Sequence, residues 1–142
     1  MMVLDTDHFS EFIKGADSAA GSRLAQRLMQ SGETFCTTIV TYEEKLRGWL
    51  AEIHRTKDVT WQQDAYLDLR RVLDSFNDWE VCDWSAAAAD RFRRFRSNGI
   101  LIGSMDLKIA SLTLELEATL LTANTNDFSK VPGLTFKDWL HD

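Results

Sequence analysis

A single proline and seven glycines are spread over 142 residues, too few for a collagen-like, Pro-rich or low-complexity chain. Cysteine is equally scarce. Cys36 and Cys82 are the only two, they stand in apolar stretches without C-x-x-C spacing, and only three histidines accompany them. A disulfide framework or a zinc site is therefore not expected, and two buried free thiols, suited to a reducing cytoplasm, are. No run of about 18 apolar residues offers a membrane span. The start, Met1-Met2-Val3-Leu4-Asp5, lacks the basic region and apolar core of a signal peptide, so a soluble cytoplasmic protein with no membrane association is expected. Basic charge is also in deficit. Sixteen Lys and Arg against 22 Asp and Glu leave a net charge of −6, so a polyanion can be met only by a local patch or a metal ion.

What is present is the material of one globular domain, expected to span 1–142. Apolar residues make up 44% and charged residues 27%, and a chain of this length buries roughly 68–70% of its unfolded surface. Val3-Leu4 before Asp5-Thr6-Asp7 reads as a strand feeding a short helix that carries Phe9, Phe12 and Ile13. A second amphipathic helix around Leu24 and Leu28 stops near Ser31-Gly32. The β-branched run over 34–40 predicts a strand, and Thr41-Tyr42-Glu43-Glu44 has the form of a capping box opening a third helix at Tyr42. A polar break over 55–58 makes that helix the first arm of a long hairpin. Its second arm carries Trp61, Ala65, Leu69, Val72, Leu73 and Phe76. A short strand over 79–84 follows, then a helix capped by Ser85 and ended by Asn98-Gly99, and a helix capped by Ser104. A buried strand over 119–122, a short helical segment over 124–128 and an edge strand over 134–136 complete the pattern.

Strands apolar on both faces and alternating with helices predict an α/β fold, a three-layer α/β/α arrangement around a central, mainly parallel sheet of four to five strands. In such sheets ligands bind beyond the carboxyl ends of the strands, and Asp5, Glu44, Asp106 and Asp127 all stand where strands end or helices begin. Each acid has a purely structural explanation as well: Asp5 or Asp7 as a helix cap, Glu44 as the end of the capping box, Asp106 and Asp127 as first-turn acids favoured by the helix dipole. Together they are harder to explain so. Gathered carboxylates repel, and a hard divalent cation such as Mg²⁺, with Mn²⁺ as substitute, offsets that repulsion, whereas no His or Cys cluster competes for zinc.

Four ordered motifs, Leu4-Asp5-Thr6-Asp7, Thr41-x-x-Glu44-x-x-x-Gly48, Gly103-Ser104-x-Asp106-x-x-Ile109-Ala110 and Leu121-Thr122-x-Asn124-Thr125-x-Asp127-Phe128 before Val131-Pro132-Gly133-Leu134, together resemble the PIN domain, and within it the VapC-type toxins of bacterial toxin–antitoxin pairs. The resemblance covers nearly the whole chain, although each motif alone is short. It implies a PIN-like fold and a Mg²⁺-dependent endoribonuclease acting on RNA, usually a homodimer, silenced by a small antitoxin whose C-terminal segment lies across the site. Asp5, Glu44 and Asp106 match the family's acidic triad. The fourth position falls on Asn124 or on Asp127, and Asp7 replaces a common Asn. Asp5 and Asp106 are then expected as direct metal ligands, Glu44 as a ligand or the orienter of the attacking water, and Asp127 as an outer ligand of a second ion, with Asn124 orienting a water or substrate.

Arg91, Arg93, Arg94 and Arg96 crowd one helix whose apolar stripe is Ala88, Phe92 and Phe95. They read either as a solvated face paired with acids or, for Arg93 and Arg94, as phosphate contacts. Arg47 shares a helix face with Glu44 and is a third candidate substrate contact. The five tryptophans fit core or dimer packing better than base stacking. His8, His54 and His141 are scattered, and none is expected as acid, base or ligand. Two rival readings remain. Asp5-Thr6-Asp7 nearly fits the D-x-D-x-T start of haloacid-dehalogenase-like phosphatases, with Asp5 as nucleophile, but Phe9 departs from that pattern and Lys108 lies about 200° around its helix from Asp106. A non-catalytic receiver-like or RNA-binding module is the other.

Overall fold

The computed structural model describes residues 1–142 and builds one sheet from five short strands, β1 (Met2–Leu4), β2 (Phe35–Thr38), β3 (Val81–Cys82), β4 (Thr119–Leu121) and β5 (Phe136–Lys137). All neighbouring pairs are parallel, in the order β3-β2-β1-β4-β5. Parallel neighbours need long crossovers, and seven helices supply them: α1 (Thr6–Lys14), α2 (Ala19–Ser31), α3 (Ile39–Arg55), α4 (Val59–Asn77), α5 (Ala86–Ser97), α6 (Ser104–Glu115) and α7 (Thr125–Phe128).

Alternation along the strands divides the core into two layers. On β1, Val3 joins Cys36, Leu120 and the apolar faces of α5 and α6. Its neighbours Met2 and Leu4 join Leu121, Phe9 of α1, Leu24 and Leu28 of α2, and Val72 and Phe76 of α4 on the other side. The fold is therefore the expected three-layer α/β/α arrangement. Strands β2 and β3 lie to one side of β1 and strands β4 and β5 to the other, so the winding reverses between β1 and β4. A crevice at the carboxyl ends of those two strands follows from that reversal.

Several local boundaries differ from the sequence pattern. The second strand ends at Thr38 and α3 starts at Ile39, three residues before Tyr42. Thr38, extended at φ −123° and ψ 157°, accepts the Thr41 amide on its own hydroxyl. That cap leaves the Thr41 hydroxyl buried against Thr38 and places Glu44 in the second turn, so the Thr41 to Glu44 capping box does not form. Ser104 is the first residue of α6 and not its cap. Gly103 precedes it without a side-chain bond, and the Ser104 hydroxyl accepts from Arg96 Nη2 at 3.2 Å. The strands expected over 79–84 and 134–136 contract or shift to Val81–Cys82 and Phe136–Lys137, because only those residues reach a neighbour in register. Among the tryptophans, Trp139 is buried, whereas Trp61 is 73% exposed. Cys36 is buried and Cys82 half-buried, both as free thiols.

One glycine matters for packing. A Cβ on Gly21 would stand 2.2 Å from the backbone carbonyl oxygen of Glu11, so α2 crosses α1 at a distance that only glycine permits. Gly21→Ala is expected to cost about 1–3 kcal/mol and to lower Tm by several degrees. Wild-type thermal stability in that variant would mean that the two helices part without penalty.

Candidate active site

Asp5 begins where β1 ends. Its amide donates to Leu121 O at 3.1 Å, still part of the sheet ladder, and its Oδ1 accepts the His8 amide at 2.9 Å as the N-cap of α1. The structural role anticipated for Asp5 or Asp7 thus falls to Asp5, which is 5% exposed, and Asp5 Oδ2 accepts no hydrogen bond. Asp7 is exposed in the first turn of α1.

Glu44 comes from the neighbouring strand's helix. The Thr6 hydroxyl donates to its Oε1 at 2.7 Å, tying α3 to the start of α1. Burial raises the Glu44 carboxyl above the ordinary range, the charges of Asp5, Asp7 and Glu43 add to this, and the Thr6 hydrogen bond partly offsets it. Asp106 is the third residue of α6, whose N-terminus lies at this rim. Its carboxyl is pushed up to about 6, first by burial and then by Glu44 and Asp5, with a smaller contribution from Asp127 and an opposing hydrogen bond from Asn124. Asn124 caps α7 and spans two acids, its Nδ2 donating to Asp106 Oδ2 at 3.2 Å and to Asp127 Oδ2 at 3.1 Å. Asp127 is held below the usual carboxylate range by that Asn124 hydrogen bond and by Lys130, whose Nζ lies 3.5 Å away.

The fold thus gathers Asp5, Glu44, Asp106 and Asp127 at the sheet reversal, as the mutual effects on Asp106 require. It does not close them into a cage: no three His, Cys, Asp or Glu side chains surround one point at ligating distance. The donor set is nevertheless all oxygen. Mg²⁺ typically keeps several waters and takes one or two carboxylates directly, a requirement that an open, acid-lined rim with a free Asp5 Oδ2 meets and that a zinc site would not share.

The arginines are placed differently. Arg47 pairs with Glu43 at 2.8 Å, Arg93 pairs with Asp90, and both are exposed. Arg94 is exposed and makes no ion pair, and no arginine bonds any of the four acids. Arg96 instead ties its helix to the loop before α6 through Ile100 O at 2.7 Å. Lys108 lies over the Trp84 ring, 5.9 Å from its centroid, so the lysine that a phosphatase would need to steady phosphate beside Asp5 is turned elsewhere. Residue patterns gave no reason to pick Thr6, Lys45 or His8. Lys45, half-buried and bonded to Ser10 Oγ at 2.7 Å, lines a depression of about 380 Å³ with Thr6, Glu44, Gly48, Trp49 and Glu52. Its ammonium is lowered by burial and by Lys14. Only the i, i+3 spacing of Asp5 and His8 could have drawn attention to the histidine.

The chain is similar to Ribonuclease VapC1 of Haemophilus influenzae (strain R2866), 24% identical over 137 residues covering 96% of each protein. It is 34% identical to Ribonuclease VapC2 of Rickettsia felis over 64 residues, a match spanning 42% of this chain and 48% of that protein. The fold is shared with DNA-bound VapBC from Salmonella typhimurium at a TM-score of 0.71, with 20% identity and 97% of each chain covered. Residues 2–134 match the family model described as PIN domain, a span that contains every strand except β5 and all four acids. An all-parallel sheet reversing at β1, carboxylates from four separate elements at that reversal, and this match make the chain a member of the PIN domain family.

Proposed function

We propose that the protein is a Mg²⁺-dependent endoribonuclease that hydrolyses RNA phosphodiesters and serves as the toxin of a toxin–antitoxin pair. The observation that carries the reading is the convergence on one rim of four acids, one of which, Asp106, holds its proton to about pH 6 through burial and the nearness of the others. Such an arrangement costs stability in the absence of a cation and is retained most simply where a cation is used. A divalent ion, when bound, supplies positive charge that acidifies water and stabilises charge on a transferring phosphoryl group.

The chain's own groups divide the remaining work. Asp5 offers Oδ2 as a ligand while its cap bond fixes Oδ1, and Asp106 offers an oxygen oriented by Asn124. Glu44, its proton affinity raised by burial and its carboxylate aimed by Thr6, is suited to orient the attacking water and take its proton. Asp127 stands outermost, as a ligand for a second ion or as an electrostatic support. No side-chain nucleophile is required, which separates this reading from a phosphoaspartate mechanism at Asp5. The relatives' name, Ribonuclease VapC, supports RNA as substrate, and the likeness of the fold to a toxin–antitoxin complex from Klebsiella pneumoniae and to a member of the VapBC family of toxin–antitoxin systems supports an antitoxin as partner. Trp61, Tyr66, Leu67 and Leu73 of α4 are exposed at 73%, 55%, 50% and 43%, apolar surface of the kind a protein partner covers, antitoxin or second copy of a homodimer. No helix is long and apolar enough to cross a membrane.

The test is purified protein on total RNA and on tRNA, with and without Mg²⁺, and with cleavage ends mapped. Defined cuts that need Mg²⁺ support the reading. A trapped beryllofluoride adduct at Asp5 without RNA cleavage would replace it by the phosphatase. Of Arg47, Arg93 and Arg94, only Arg94 is without an ion pair and free to meet phosphate, so Arg94→Gln is expected to raise KM and flatten its salt dependence with kcat little changed. An unaltered salt slope would leave the α5 basic face purely structural.

A further inference from the structure

His8 is fully buried, and its ring lies between the C-terminal segment and the candidate metal site. On one side Nε2 accepts the backbone N–H of Trp139 at 3.1 Å. A ring nitrogen can accept an amide N–H only through its free lone pair, so Nε2 carries no proton there and the ring proton sits on Nδ1. On the other side Nδ1 faces Asp5 Oδ1 at 3.3 Å, within hydrogen-bond distance but out of line, and is the one buried side-chain polar atom left without a partner. Asp138 Oδ1 also approaches Nε2, at 3.8 Å, too far for a hydrogen bond. Asp5 Oδ1 is thus approached twice by the same residue, by the His8 amide and by Nδ1–H.

We propose that His8 is a positioning residue for Asp5: with its tautomer set by the Trp139 amide, its Nδ1–H holds Asp5 Oδ1 and thereby presents Oδ2 to the divalent cation. The proposal rests on the reading of Asp5 as a metal ligand. Carboxylate ligands are oriented by such outer partners, whose loss typically weakens metal binding about 10–100-fold. It also makes the segment around Trp139, 134 residues away in sequence from Asp5, part of the site's support. A distance that is right with an angle that is poor is common before a metal or substrate tightens a site.

Two substitutions separate the ring's two nitrogens. In His8→Gln the longer amide can still accept the Trp139 N–H but offers nothing to Asp5. In His8→Asn the shorter amide nitrogen stands near the place of Nδ1 and can still donate to Asp5, while the Trp139 amide loses its acceptor. Mn²⁺ binding followed by calorimetry is expected to show a Kd about 10–100-fold higher for His8→Gln with Tm near wild type. For His8→Asn it is expected to show a Kd within a few-fold of wild type with a lowered Tm. A His8→Gln isotherm superimposable on wild type, or equal loss of affinity in both variants, overturns the positioning role while the wild-type isotherm, abolished by Asp5→Asn, keeps the metal reading. A wild-type protein with no Asp5-dependent isotherm overturns both. Should His8→Gln fail to fold, imidazole ¹⁵N shifts of the wild-type protein decide: a protonated Nδ1 and bare Nε2 support the proposal, and the reverse tautomer overturns it.

Discussion

Asp5→Asn and Asp106→Asn are each expected to lower RNA cleavage by about 10²–10³-fold at saturating Mg²⁺ while leaving the protein folded. The fold should survive for reasons specific to each position. Asn is as good an N-cap as Asp, so in Asp5→Asn the side-chain carbonyl can still accept the His8 amide that now ends on Asp5 Oδ1. In Asp106→Asn the side-chain oxygen can still accept from Asn124 Nδ2. What each variant loses is one negative charge at the rim. Glu44→Gln keeps an acceptor for the Thr6 hydroxyl and should behave likewise. Circular dichroism and gel-resolved cleavage of one RNA substrate across a Mg²⁺ series check this. Wild-type turnover in either Asp variant would remove that residue from the metal site.

The second large effect is on stability without metal. The Asp106 carboxyl moves from an ordinary value of 3.8 to about 6 in the folded protein. Between those values the folded state holds a proton that the unfolded state has released, so stability falls as pH rises through this window and the loss is complete above about pH 6. A shift of about two units is worth up to roughly 3 kcal/mol, and Asp106 is half-buried, so solvent screening reduces the expected contribution to about 1–2 kcal/mol. Asp106→Asn should therefore match wild type in EDTA near pH 4 and exceed it by about 1–2 kcal/mol at pH 7.5. Millimolar Mg²⁺ should raise the wild-type Tm with site occupancy and leave Asp106→Asn nearly unmoved. Paired melting curves across pH, in EDTA and in Mg²⁺, measure both halves. An Asp106→Asn protein less stable than wild type at pH 7.5 in EDTA would make Asp106 a favourable first-turn acid of α6 and nothing more.

The order and type of the elements were legible in the sequence because burial on both faces of a parallel strand writes a local signature: apolar runs at Val3-Leu4 and Leu120-Leu121, alternating with helical periodicity between them. The candidate acids were legible for a related reason. Strand ends and helix starts can be read locally, and Asp5, Asp106 and Asp127 stand at such positions. Helix starts at single-residue precision were not. Thr38 and Thr41 offer equally good caps by composition, and what selects Thr38 is where β2 stops pairing with its neighbours, a fact of the sheet. The same shift moved Glu44 from a capping partner to an acid held by Thr6, 38 residues away.

By itself, then, the sequence determined the α/β class, the succession of strands and helices, and which carboxylates stand at element ends, since all three depend on neighbours within a few turns of chain. Tertiary structure decided the rest: the strand order that reverses at β1, the proximity and burial that push Asp106 to about 6, the hold of Thr6 on Glu44, and the burial of His8 between Asp5 and Trp139. Those depend on distances between side chains in the folded molecule. Charge interaction and desolvation are set by such distances, and local pattern carries no information about them.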